Sequence, residues 1–285
     1  MKTLAMMFIL FTMLSMSIVY AETTGPQKGA LIIMGGGGKQ TEVLKRFIAL
    51  AGGGNAQIVF IPTANEEAGF AADDTAEELR KLGANHVTVL HTRDPKEADT
   101  EKFAAPLKTA TGVWLGGGRQ WRLADAYLHT RTLTELHAVL ERGGVIGGTS
   151  AGATIQGDFL VRGDTQGNEK MEGDHRVGFG FMKNVAIDQH ILRRNRQFDL
   201  LPVIEKHPEL LGIGIDENTA IVVHGDQFEV IGPSFVAITD AQQWLHKDPT
   251  ASPNGAASKG KIYFLGAGER FDLKSRRILR SRFLD

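Results

Sequence analysis

The residues best suited to chemistry stand at 145–153, Val-Ile-Gly-Gly-Thr-Ser-Ala-Gly-Ala. Gly148, Ser150 and Gly152 fit G-x-S-x-G; Val145 and Ile146 close an apolar run that reads as a buried strand, and Ala153 to Ile155 can start a helix. A serine on a sharp strand-to-helix turn points its hydroxyl outward, beside free backbone N–H groups of the helix start. Glycines on either side avoid a Cβ that would strike the neighbouring strand or a substrate. An activated hydroxyl beside an N–H anion site is what acyl transfer requires. A plain Gly-Ser loop is the bland reading, and the strand-before, helix-after context favours a nucleophile.

Such a serine needs a base. His190 lies forty positions downstream, at a strand-to-helix junction beside Asp188 and Gln189, polar residues that would be costly in an apolar interior. His175, in a charged loop, is the second choice. A third group should orient the imidazole, and Asp164, Gln166, Glu169, Glu172 and Asp174 all lie between Ser150 and His190. Spacing does not choose among them. A helix is expected over 192–201, carrying Arg193, Arg194 and Arg196, whose guanidiniums suit a substrate carboxylate. There is no H-x-x-x-H, no cysteine and no tight His/Asp cluster beyond Asp188-x-His190, so no metal site is expected.

The elements that must position these groups alternate. Strands are expected over 30–34, 57–62, 85–90 and 112–115 and in the apolar run that ends at Val145 and Ile146, and helices over 41–51, 73–82, 102–109, 123–128 and 133–142. Short glycine turns join them, which implies a doubly wound, mainly parallel α/β sheet flanked by helices. In such sheets ligands bind beyond the carboxyl ends of the strands, so the glycine rims at Gly35, Gly117 and Gly148 are expected to converge on one cleft. Gly35 to Gly38 follows a strand like a phosphate loop, but lacks the downstream acidic residue and any Gly-Lys-Ser/Thr; a tight turn is favoured over nucleotide binding. Beyond residue 155 the pattern turns to short strands near 159–162 and 185–187, then antiparallel strands over 212–216, 220–223 and 228–231. A hairpin is expected from 261–265 and 270–273, after an exposed loop at 247–260.

Composition bounds the rest. With 285 residues, 42% hydrophobic and 23% charged, the chain is ordinary for a globular protein. Lys2, the apolar run from Leu4 to Val19, and Val19-Tyr20-Ala21 read as a secretory signal removed after Ala21. That leaves 22–285 as a single domain, exported to the periplasm or beyond, with no stable membrane anchor. A balance of 32 basic against 33 acidic residues carries no footprint for nucleic acid. The absence of cysteine excludes disulfides and thiol catalysis.

Four stretches combine into a resemblance: Gly117-Gly118-Arg119-Gln120; Gly148-Thr149-Ser150-Ala151-Gly152-Ala153; Ile187-Asp188-Gln189-His190 with Arg194 and Arg196; and Gly212-Ile213-Gly214-Ile215-Asp216-Glu217-Asn218-Thr219-Ala220. In order and spacing they resemble the cyanophycinase family of serine peptidases, which includes the aspartyl dipeptidases. The resemblance implies a class I glutamine-amidotransferase-like fold, with Ser150 attacking, His190 as base, and the N–H groups of Gly118 and Ala151 as oxyanion hole. It implies that Gln120, Asp188, Gln189, Arg194 and Arg196 line the substrate pocket, that no metal or cofactor is needed, and that the protein pairs as a homodimer. The family acid expected sixteen residues after the serine falls on Gln166, with Glu169 or Glu172 as substitutes after a loop shift. Two charges are reversed: the family's G-G-D-Q has Arg119 in place of its acid, and a third family arginine is Asp199. The expectation is an exported serine peptidase acting on aspartyl or isoaspartyl (β-Asp-Arg type) peptides. Its rivals are a non-catalytic binding module of the same fold and an exported esterase.

Overall fold

The computed structural model describes residues 23–38, 41–66, 74–241 and 261–279; the signal reading of 1–21 and the loop reading of 247–260 lie outside them. In chain order come β1 (Ala30–Met34), α1 (Thr41–Ala51), β2 (Gln57–Ile61), α2 (Thr75–Lys81), β3 (His86–Val89), β4 (Gly112–Leu115), α3 (Gln120–Tyr127), α4 (Arg131–Glu141), β5 (Val145–Thr149) and α5 (Ala151–Thr154). The later part holds β6 (Gly157–Gly163), β7 (His175–Val177), β8 (Met182–Gln189), α6 (Leu200–Lys206), β9 (Leu211–Ile215), β10 (Ala220–His224), β11 (Gln227–Ile231), β12 (Val236–Asp240), β13 (Lys261–Leu265), β14 (Arg270–Asp272) and β15 (Arg277–Leu279).

Two sheets result. The first runs β15-β14-β11-β10-β1-β5-β4-β2-β3, and the second β13-β12-β9-β8-β6-β7. Strands β1, β5, β4, β2 and β3 pair in parallel, whereas β10, β11, β14 and β15 extend that sheet antiparallel. The expected α/β class and the antiparallel C-terminal strands are both present. Every residue of β1, β4 and β5 is buried, the near-continuous apolar run of strands covered on both faces. Side chains of β1 alternate between two cores. Ile32 and Met34 belong to the core that includes residues of α1 and α2, while Leu31 and Ile33 belong to the one that includes residues of α3, α4 and the second sheet. On α1, Val43, Leu44, Phe47, Ile48 and Ala51 form the buried stripe. The fit is close: a Cβ on Gly147 would lie 2.3 Å from the Trp114 ring, which Phe47 meets edge-on at 5.1 Å.

Three expectations change. No helix spans 192–201; residues 191–199 are turns, and α6 starts at Leu200. His190 and Asn195 adopt left-handed φ of +56° and +55°, and the N–H groups of Leu192 and Arg193 donate to Asp216 instead of to a preceding turn. Pro202 then sits in the first turn of α6, where its missing N–H costs nothing. The helix expected over 102–109 is broken into Glu101–Ala104 and a tighter turn at Ala105–Lys108, because Pro106 cannot continue it. The strands at 261–265 and 270–272 do not pair with each other: β13 joins β12 in the second sheet, and β14 joins β11 in the first. Strand β12 had no counterpart in the sequence reading.

Candidate active site

Ser150 follows the end of β5, Gly117 and Gly118 follow β4, and Gly35 to Gly37 follow β1. His190 follows β8 and Glu217 follows β9. Strands β1, β4 and β5 are parallel neighbours in one sheet, and β8 and β9 are parallel neighbours in the other. All five turns therefore emerge from carboxyl ends of strands, where open α/β sheets place their ligands.

Ser150 has φ +53° and ψ −111°, a conformation rare for a residue with a Cβ. It is held there by its N–H donating to Met34 O (3.0 Å) and by its carbonyl accepting from Ala153 and Thr154 N–H (both 3.0 Å). The flanking glycines are sterically required. A Cβ on Gly148 would lie 2.2 Å from Gly152 O, and one on Gly152 would lie 2.2 Å from Leu115 O. The strained turn presents Oγ outward, and the start of α5 leaves the Ala151 N–H without an acceptor inside the helix. Gly117 lies beside the serine, since a Cβ there would sit 3.6 Å from Ser150 Cβ.

Ser150 Oγ is 3.0 Å from His190 Nε2, and His190 Nδ1 is 2.6 Å from Glu217 Oε1. The two residues that sequence placed forty positions apart are in hydrogen-bond contact. Gly36 (φ +110°) makes room for the ring, because a Cβ there would lie 2.2 Å from His190 Cε1. The same glycine run ties both partners down: Gly35 O accepts from His190 N–H at 3.0 Å, and Gly36 O from Asn218 N–H at 2.7 Å. That run is a bracket for the imidazole and its carboxylate. Asp216 braces the other side, with Oδ1 accepting from Leu192 and Arg193 N–H and Oδ2 from Ser234 Oγ. Burial pushes the His190 pKa below its usual 6.5; the Glu217 carboxylate opposes this, and Arg194 and Arg196 assist it. A neutral ring with Nδ1–H donated to Glu217 leaves Nε2 free to take the serine proton.

The carboxylate bonded to His190 is that of Glu217, where Gln166 or Glu169 had been expected. Gln166 is exposed and uses its backbone N–H on Asp164. Glu169 is 85% exposed and lies 3.6 Å from Arg196, while Glu172 pairs with Lys206 and His207. Counting along the chain from the serine searched the wrong segment. The useful signal was the strand end, for Glu217 stands two residues past β9, the parallel neighbour of the strand that delivers His190.

The expected pocket residues divide. Gln120 Nε2 donates to Val161 O (2.9 Å) and Arg162 O (3.0 Å), so its amide nitrogen is spent on β6. Asp188 is fully buried and takes a bidentate contact from Arg162, at 2.8 and 3.0 Å. Both brace β6; Asp188 spends both oxygens there, whereas Gln120 commits its amide nitrogen. Gln189 Oε1 and Arg196 Nη1 are buried with no partner, whereas Arg194 is exposed. Both Arg194 and Arg196 disfavour the charged form of His190.

The sequence of Peptidase family S51 matches residues 31–231. A cyanophycinase from Geminocystis herdmanii is 32% identical over 258 residues, covering 87% of this chain and 95% of its own length. One from Synechococcus elongatus is 33% identical over 263 residues, covering 88% and 81% respectively. Among solved structures, a peptidase from an acI-B1 Actinobacterium superposes with a TM-score of 0.63 at 24% identity, over 87% of this chain and 98% of that one. A putative peptidase E from Listeria monocytogenes gives 0.54 at 19%, over 72% and 99%. These two likenesses speak to fold, and the sequence matches to family. The chain belongs to peptidase family S51 and is a serine-type peptidase.

Proposed function

We propose that this peptidase hydrolyses aspartyl or isoaspartyl peptides through an acyl-enzyme on Ser150. The observation that carries the mechanism is the unbroken relay of Ser150 Oγ, His190 and Glu217 at 3.0 and 2.6 Å. Ser150 Oγ attacks the scissile carbonyl as His190 Nε2 takes its proton, and Glu217 stabilises the imidazolium that forms. The N–H groups of Gly118 and Ala151 receive the developing oxyanion. His190 then returns the proton to the departing amine, and a water activated by the same ring releases the acid. Cyanophycinases among the relatives, together with Arg194 and Arg196 beside the base, support an aspartyl-type substrate.

The non-catalytic alternative drew on Gln166 standing where an acid was expected and on Asp199 replacing a family arginine; the Glu217 carboxylate at His190 weighs against the first of these grounds. The Lys2-to-Ala21 pattern supports export, which amino-terminal sequencing of the mature protein tests. For the chemistry, a fluorophosphonate probe should label Ser150 in the wild type. Ser150→Ala should lose peptide hydrolysis by about 10⁴-fold or more while melting as the wild type does. Retained hydrolysis in that variant would reject the mechanism. A substrate screen showing ester cleavage but none of aspartyl or isoaspartyl peptides would reject the substrate class.

A further inference from the structure

Asp188, the penultimate residue of β8, stands two positions before His190, and both of its oxygens are already taken. Its Oδ1 accepts from Arg162 Nε and from Gln189 N–H, and its Oδ2 accepts from Arg162 Nη2. Arg162 is only 1% exposed and sits at φ +54°, a left-handed conformation that a side chain seldom adopts. Such strain persists only where the surroundings over-determine it. Here Gln120 grips the Arg162 carbonyl, Met171 O accepts its N–H, Asn168 O accepts from Nη1 at 2.9 Å, and Asp199 Oδ2 accepts from Nη2 at 2.5 Å. Asp199, the residue at which the expected family arginine is missing, thus serves as the second carboxylate of an internal guanidinium site.

Arg196, three residues earlier, is in the opposite position. It is 6% exposed, its Nη1 is buried without a partner, and its nearest carboxylate is the exposed Glu169 at 3.6 Å, beyond hydrogen-bond reach. Burial and the neighbouring Arg162 and Arg194 cations lower its pKa, as expected for a guanidinium short of negative charge. A buried cation without full pairing is costly, and an incoming anion relieves that cost.

We propose that Arg162 and Asp199 are specificity-determining residues. They occupy Asp188, which the family resemblance puts in the substrate pocket, with a guanidinium of the chain itself, so that pocket takes a substrate side chain ending in a carboxylate, held by Arg196, and disfavours one ending in a guanidinium. This rests on the peptidase reading above and narrows its substrate class toward acidic side chains. The test uses the wild-type protein and the fluorophosphonate probe. Labelling of Ser150 should be slowed by glutarate and left unaffected by arginine amide at the same concentration. Among β-Asp-Glu, β-Asp-Leu and β-Asp-Arg peptides, kcat/KM should fall in that order, with about tenfold or more between the first and the last. Arg162→Ala should free Asp188 and move the ratio toward β-Asp-Arg; should that variant not fold, the competition experiment decides alone. Stronger competition by arginine amide than by glutarate, a wild-type preference for β-Asp-Arg, or an unchanged ratio in folded Arg162→Ala would overturn the proposal. Failure of the probe to label Ser150 at all would strike the peptidase reading itself, a distinct result.

Discussion

Of the described histidines that sit against carboxylates, His190 and His175 have become opposite things. His190 gives one nitrogen to Glu217 at 2.6 Å and turns the other to the Ser150 hydroxyl at 3.0 Å. His175 gives one nitrogen to Asp174 at 2.8 Å and the other to Asp125 at 2.7 Å. A ring between two carboxylates must carry a proton on both nitrogens to bond both, so His175 has no lone pair left for a base to use. Burial disfavours its charge, but the two carboxylates win and its pKa is raised. At His190 burial wins, with Arg194 and Arg196 on its side, against a single carboxylate. What makes a base is one carboxylate on one nitrogen, a hydroxyl on the other, and enough burial to keep the ring neutral.

The largest effect separates these two rings. His190→Ala should lower kcat by about 10⁴-fold or more, whereas His175→Ala should leave kcat within about threefold of wild type. Steady-state hydrolysis of an aspartyl peptide decides; comparable losses in both would end the distinction. Next comes the carboxylate. Glu217→Gln should keep the geometry but lose the charge that stabilises the imidazolium, lowering kcat by about 10³–10⁴-fold. Gln166→Ala, at the exposed position where the family resemblance set the third group, should leave kcat near wild type. An inactive Gln166→Ala beside an active Glu217→Gln would restore the original assignment.

Much of this was legible before any coordinates. The alternating strands and helices up to residue 149 were readable because buried parallel strands are apolar throughout and end at glycine turns. Ser150 and His190 were readable because each sits at such an end. The stretch between His190 and α6 was not: Arg193, Arg194 and Arg196 suggest a helix by propensity, but Asn195 turns to φ +55° and ends the run after a single turn. Glu217 was hidden for a different reason. It was in view within the Gly212-to-Ala220 stretch, yet only the pairing of β8 with β9 brings its turn to the imidazole. The internal site of Arg162 had no local signal, since its partners come from three separate segments.

A smaller effect follows from the raised pKa of His175, which fastens β7 to α3 through Asp125. A group whose pKa is raised in the folded state adds stability that is complete below its unfolded value of 6.5 and is lost as pH rises through the folded value. Amide hydrogen exchange over residues 157–177, corrected for its intrinsic pH dependence, should therefore quicken as pH rises past that point. The same series in His175→Asn should show no such step. A step that survives in the variant would assign the titration elsewhere.

The smallest effect is the most discriminating for His190. Its lowered pKa means that the unfolded chain binds a proton the folded one refuses, so stability falls as pH drops from 6.5 toward the folded value. In catalysis the same group sets the acid limb of kcat/KM in the free enzyme, which should have its midpoint below 6.5. Arg194→Ala removes a cation that disfavours the imidazolium, so the limb should move to higher pH. Because Arg194 is exposed, the displacement should be slight and should fade as salt is added. Glu217→Gln removes the opposing carboxylate and should move the limb the other way, with far lower rates throughout. Opposite displacements would show that charge as well as burial tunes the base; displacements in one direction would leave burial alone in control, and Arg194 would then be too far from the ring to act on it.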